Sequence, residues 1–162
     1  MIIKNNEEAL RVICQPVAEH EVASLLDILD RELKLSALEG YPGIGLAAPQ
    51  IGIDKNIAIV RSKTNIDLIN PVITSSKYPF MFTNEGCLSF PGRLETTSRF
   101  QEIDFISNNR SFSLKGLDAV VVQHEVDHLN SILFPDRILK KLKPNEKCFC
   151  GSNKKYKKCH GA

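Results

Sequence analysis

The chain has 162 residues, 43% of them apolar, with 21 Lys or Arg against 19 Asp or Glu, a formal charge of +2. That is enough to bury one ordinary core and short for two, and no apolar run approaches the roughly 20 residues of a helical membrane span. The start, Met1 to Glu8, lacks the basic and long apolar regions of an export signal, so a cytoplasmic protein is expected.

From Glu21 to about Ala37, Val22, Leu25, Leu26, Leu29 and Leu33 recur at three- and four-residue steps, which predicts an amphipathic helix closed by Gly40 and Pro42. His20 reads as a surface residue just before it, and Cys14 as a buried, inert thiol. Short β-rich runs follow at Asn56 to Arg61, at Asp67 to Asn70 before Pro71, and around Phe80 to Asn84. Phe100 to Ile106 and Ser111 to Lys115, joined through Asn108-Asn109, predict a β-hairpin. A second long helix is expected from about Leu117 to Asn130; its valines lower intrinsic propensity, so packing must hold it. Strands grouped between helices, without βαβ alternation, predict an α+β fold with mostly antiparallel sheets. After Leu142 the polar stretch Lys143-Pro144-Asn145-Glu146-Lys147 reads as a linker, dividing a body of residues 1–142 from a small unit at 143–162.

The second helix carries His124-Glu125-Val126-Asp127-His128, which puts two imidazoles on one face with a carboxylate beside the first, the geometry of a hydrolytic metal site. Two histidines on a solvated helix are the alternative, but Leu117 and the run Ala119 to Val122 are too apolar for one. A buried helix with two His and two acids needs partners for them, and one metal serves several. Two ligands do not make a catalytic site. The thiol of Cys87, in Glu85-Gly86-Cys87-Leu88-Ser89, is the best candidate for a third, which gives Cys87, His124 and His128 with one position open. Glu125 then stands where it can take a proton from water and return it to a departing amine.

Three segments together resemble the motifs of the peptide deformylases: Gly43-Ile44-Gly45-Leu46-Ala47-Ala48-Pro49-Gln50 the first, Glu85 to Ser89 the second, and Gln123 to His128 the third. The similarity runs from about Leu10 to about Arg137. It implies an α+β fold in which sheets surround a central metal-binding helix, and a hydrolase that removes the formyl group from N-terminal formylmethionine of new polypeptides, releasing formate. It assigns oxyanion stabilisation to the Gln50 amide and the Leu88 backbone N–H, contact with the substrate backbone to Ile44 and Gly45, and a methionine slot to the region of the second motif and the histidine helix, where Gly86, Val120 and His124 are the expected lining residues. Gly43 and Gly45 suit a loop that a peptide approaches closely, and a tight site around Gly45 and Cys87 would exclude acetyl groups by crowding. The implied ion is Fe(II), with Zn, Ni or Co as substitutes. Arg93 stands about one position earlier than the family's substrate-contacting arginine, and Arg99 matches a second, structural one.

Three of the five cysteines lie in the last fifteen residues beside a histidine, which favours metal binding over disulfides. Cys148-Phe149-Cys150, then eight residues, then Cys159-His160 resembles the SEC-C motif, with Gly151-Ser152 as the turn. Three thiolates and an imidazole make a closed site for structural Zn(II); the alternative is a disordered basic tail. From Arg137 onward nine Lys or Arg face one acid, Glu146, a local charge of +8 that leaves −6 for the rest. Such a basic tail points to an anionic partner, ribosomal RNA or an acidic protein surface, and the implied deformylation of chains leaving the ribosome favours the ribosome. Two other readings remain at this point: a zincin-type metalloprotease, whose third ligand would normally follow His128, and an inactive metal-binding ribosome adaptor.

Overall fold

The computed structural model describes residues 1–138 and 142–161. A single turn, α1 (Glu7–Leu10), is capped by Asn6, whose Oδ1 accepts from the Ala9 N–H at 3.1 Å. Helix α2 (Glu19–Leu38) follows, its start fixed by Glu21 accepting from the Ala18 N–H. His20 lies exposed in its first turn, inside the helix and not before it. The predicted stripe faces inward: Leu29 and Leu33 are buried, with Val22, Leu25 and Leu26 packed beside them against Leu46, Ile57 and Ile59. Gly40, at φ +88°, supplies the left-handed turn that ends the helical stretch.

Strands β1 (Gly45–Ala47), β2 (Ile57–Arg61) and β3 (Asn65–Ile69) form one antiparallel sheet in that order; β4 (Val72–Glu85), β5 (Glu95–Ser107) and β6 (Arg110–Lys115) form a second. Asn108 and Asn109 join β5 to β6 with φ of +47° and +58°, the paired left-handed residues that a tight hairpin requires. Ser107 stitches the sheets together, its Oγ accepting from the Ile69 N–H at 2.8 Å and donating to the Asp67 carbonyl at 3.0 Å. Helix α3 (Gly116–Leu129) is buried from Ala119 to Leu129. Its Ala119, Val122, Val126 and Leu129 share one cluster with Ala58, Val60 and Leu68 of the first sheet and Ile103 and Phe105 of the second. The fold is therefore α+β with antiparallel sheets around a central helix.

Three local expectations change. The segment around Gly45 and Gln50, read as a loop, contains strand β1 and a 3-10 turn at Ala48–Ile51. Strand β4 starts at Val72, well before Phe80, and runs through Pro79; the proline is tolerated because β4 is an edge strand paired only with β5. Residues 144–147 are not a free linker: the Lys157 N–H donates to the Pro144 carbonyl at 3.0 Å, the Tyr156 N–H to the Glu146 carbonyl at 2.8 Å, and Lys147 pairs with Lys155. Of the stretch Ile138 to Leu142, residues 139–141 lie outside the described residues. Cys14 is half-buried against the core, and burial with nearby Asp54 pushes its thiol up to about 11, as an inert group requires. Among the described residues no helix is long and apolar enough to cross a membrane.

Candidate functional site

Near the end of β4 the ladder shifts between Phe82 and Glu85, with Asn84 at φ +59°. This bulge ends the regular pairing and leaves Glu85 buried, and the turn after it carries Cys87, closed by the Phe90 N–H on the Cys87 carbonyl at 2.9 Å. Cys87 thereby meets α3, where His124 and His128 sit one turn apart with ring centroids 5.0 Å apart. Cys87 Sγ lies 3.3 Å from His128 Nε2, and one ligand atom from each of Cys87, His124 and His128 falls within 4.8 Å of the others. The third donor thus comes from upstream of the pentad, where a zincin arrangement would look downstream.

His124 Nδ1 contacts Glu85 Oε1 at 2.7 Å, which makes Nδ1 the donor and leaves Nε2 to ligate. Burial works against ionising Glu85, but hydrogen bonds from Arg99 and His124 outweigh it and hold the carboxyl well below the usual range. Burial likewise opposes charge on both imidazoles. His124 is nevertheless raised well above an ordinary histidine by Cys87 and Glu85, whereas His128 falls well below. Glu125, buried, is pushed up to about 7 by desolvation, with His124 and Arg99 pulling the other way. A carboxyl poised there can both accept and return a proton near neutral pH.

Gly45 leaves room for the Glu125 carboxylate: a Cβ at that position would meet it and force it to shift. At Gly43 a Cβ would come within 2.5 Å of Leu88 Cδ1. Gln50 is fixed at both ends of its amide. Its Oε1 accepts from the Ala47 N–H at 2.9 Å, so Nε2 donates to Ser89 Oγ at 3.1 Å and reaches Cys87 Sγ at 3.5 Å. The N-terminal segment braces this pair, with the Ile3 N–H on the Gln50 carbonyl and the Asn5 N–H on that of Ser89. Ile44, Gly45, Gln50, Gly86, Cys87, Leu88, Val120, His124 and Glu125 all line one cleft of about 530 Å³, and His128 lies buried behind it. Arg93 lines the cleft too, paired with Glu95 at 3.0 Å, while Arg99 is buried beneath it.

The donor set fits a cation. A thiolate and two imidazoles suit a divalent first-row metal with one position open. Glu125 Oε2 and His128 Nδ1 are the buried polar side-chain atoms without a protein partner among the described residues, and the Glu125 oxygen belongs to a residue of the cleft wall. Sequence reasoning overlooked the support of this site, namely Glu85, Thr97 and Asp127 around Arg99, together with Ser89. The buried acid within the pentad was the available signal, because Asp127 on the buried stretch of the helix needs a cationic partner.

In the tail, ligand atoms of Cys148, Cys150, Cys159 and His160 also lie within 4.8 Å of one another, with Cys148 Sγ 3.2 Å from His160 Nδ1. Hydrogen bonds from Ser152 bring the Cys150 thiol down to about 6, whereas burial pushes the Cys148 thiol up.

A family model for polypeptide deformylase matches residues 1–144, and one for the SEC-C motif matches 145–162. The chain is 35% identical to a peptide deformylase of Desulfitobacterium hafniense over 147 residues, covering 86% of this chain and 94% of that one. It is similar in structure to peptide deformylase from Thermotoga maritima, at a TM-score of 0.76 and 31% identity, covering 86% of this chain and 97% of the other. Met-Ala-Ser-bound class I type b peptide deformylase from Acinetobacter baumannii aligns at a TM-score of 0.72 and 30% identity, covering 85% and 97%. Sequence model, full-length relative and fold agree, and the chain belongs to the polypeptide deformylase family.

Proposed function

We propose that the chain removes the formyl group of N-terminal formylmethionine from newly made polypeptides through Cys87, His124, His128, Glu125, Gln50 and Leu88. As a family member it is a metal-dependent hydrolase of formylmethionyl peptides. The observation that carries the residue assignment is the meeting of three ligand atoms within 4.8 Å at a cleft that the Glu125 carboxylate also lines. A divalent cation there supplies Lewis acidity, making water nucleophilic near neutral pH and polarising the formyl carbonyl. Glu125 takes the proton from the attacking water and hands it to the departing amine, and formate leaves. The Gln50 amide and the Leu88 N–H donate to the carbonyl oxygen as charge develops on it.

Gly45, in the edge strand of the first sheet, offers backbone groups to an extended peptide, with Ile44, whose carbonyl already accepts from the Arg61 N–H at 2.7 Å, beside it. Gly86, Val120 and His124 form the wall for the methionine side chain. By resemblance to the family the ion would be Fe(II), replaceable by Zn, Ni or Co, and three thiolates with one imidazole suit Zn(II) in the tail. Residues 1–142 act as the catalytic unit and 143–162 as a docking unit. Exposed Lys154, Lys155, Lys157 and Lys158 give the latter a surface for ribosomal phosphate in the cytoplasm.

Anaerobic release of formate from formyl-Met-Ala-Ser tests this reading. Glu125→Gln should retain the cation and lose at least about a hundredfold in turnover, the usual scale for a general acid–base group. No formate from the parent chain, or full activity in the variant, contradicts it.

A further inference from the structure

Charged side chains run in line away from His124. Glu85 accepts from His124 Nδ1 at 2.7 Å and is gripped by Arg99 through Nε at 2.9 Å and Nη2 at 2.5 Å. Arg99 Nη1 reaches Asp127 Oδ2 at 2.6 Å. Asp127 is then held at two points by Arg137, Nη2 to Oδ1 at 2.6 Å and Nε to Oδ2 at 3.0 Å. The side chains of Glu85, Arg99 and Asp127 are at most 9% exposed, whereas that of Arg137 is 41% exposed. The row therefore reaches solvent at Arg137.

Two cations and two anions alternate along it, so removing Arg137 leaves one carboxylate in excess around Arg99. Arg99 is already the shared donor. Drawn toward Asp127, it loosens its two-point grip on Glu85, and Glu85 is what orients His124. The segment that carries Arg137 is anchored separately, since Asp136 binds Arg11 at 2.7 Å and accepts from the Leu133 N–H at 2.9 Å. It also touches the same site by other routes. Phe134 packs against the His124 ring with centroids 6.3 Å apart, and Ile138 bridges Thr97, whose hydroxyl donates to Glu85.

We propose that Arg137 is a positioning residue for the catalytic cation: acting through Asp127, Arg99 and Glu85, it fixes the ring orientation and tautomer of His124. This rests on Cys87, His124 and His128 being the ligands. The test uses the full chain with Cys150→Ser and Cys159→Ser, which disable the tail site, so that added Co(II) reads the central site alone. Affinity is measured by chelator competition and ligand geometry by the visible absorption of the bound cobalt.

Arg137→Met should weaken Co(II) binding about tenfold, the lower end for partners behind a metal ligand, and shift the cobalt bands. Arg137→Lys, a point charge without the fork, should recover only part of that loss. Arg11→Met, which breaks the other ion pair of the same segment, should change neither reading. The proposal is overturned if Arg137→Met binds cobalt like the background protein with the same spectrum, or if Arg11→Met weakens binding as much. If Arg137→Met does not fold, Arg137→Lys decides: weaker binding with shifted bands supports the proposal, and unchanged binding overturns it. A background protein that binds no cobalt removes the ligand assignment, and the proposal with it.

Discussion

At the central site, the three ligand atoms come from elements that other interactions already fix: a bulged strand end and a helix buried along eleven residues, braced by Glu85, Arg99, Asp127 and Arg137. In the tail, Cys148 is the only buried residue among the described residues from 142 to 161, and apart from the four candidate ligands the segment is held by hydrogen bonds and by the Phe149 ring against His160, with no buried apolar cluster behind them. Both clusters bring together thiols and imidazoles that could hold a metal. In the body the fold places the ligands; in the tail the ligands must place the fold, because so short a segment buries too little to order itself. Three donors in the body would leave a tetrahedral cation one open position for chemistry, and four in the tail would leave none.

The largest expected effect comes from attacking the support of the body site. Arg99→Met leaves Glu85 and Asp127 buried with less compensation, and destabilisation of about 3–5 kcal/mol is expected from denaturant unfolding, the scale for breaking a buried pair. A loss below about 1 kcal/mol would mean that packing alone fixes His124.

An intermediate effect should appear in the tail and stay there. Cys159→Ser should lower the metal content from about two equivalents to about one, by the ligand counts of the two sites. Formate release should be unchanged, because no tail residue among the described residues lines the cleft. Co-sedimentation with ribosomes should weaken in the same variant and lose salt dependence, by about one unit of log–log slope for each phosphate contact removed. Loss of catalysis alongside the tail metal would erase the contrast between the sites.

The smallest effect lies away from both. Asp30 ties α2 to the first sheet through Arg61, whose hydrogen bonds lower the Asp30 pKa despite some desolvation. A depressed carboxyl stabilises the fold above its unfolded pKa of about 3.9, and that contribution fades as pH falls through the folded value. Asp30→Asn should therefore cost at most about 1 kcal/mol at neutral pH, for a partly exposed pair, and nothing once the parent carboxyl is protonated. A difference that persists in acid would assign the loss to packing.

The contrast also governs what was legible in the sequence. Helix α2 announced itself by its spaced leucines, the β5–β6 turn by Asn108-Asn109, and the site by three motifs, each of which contributes residues to one cleft. Strand β1 is three residues long, too short to display a period of two, so Gly45 and Gln50 read as loop. Pro79 and the polar residues of an edge strand hid the first half of β4. The row from Glu85 to Arg137 joins positions up to about fifty residues apart through charge alone, and no periodicity links them. In the tail, Cys148 to His160 was readable because ligand spacing is itself the structural code, while backbone bonds to Pro144 and Glu146 left no trace in side-chain pattern.

Amide exchange on the metal-stripped full chain, kept anaerobic, tests the central claim most directly. Residues of α3 should stay protected while those from 144 to 161 exchange at unprotected rates; zinc should restore the tail, and Fe(II) should restore formate release without altering α3. If α3 loses protection together with the tail, the body site is also built by its ion, and the account is contradicted.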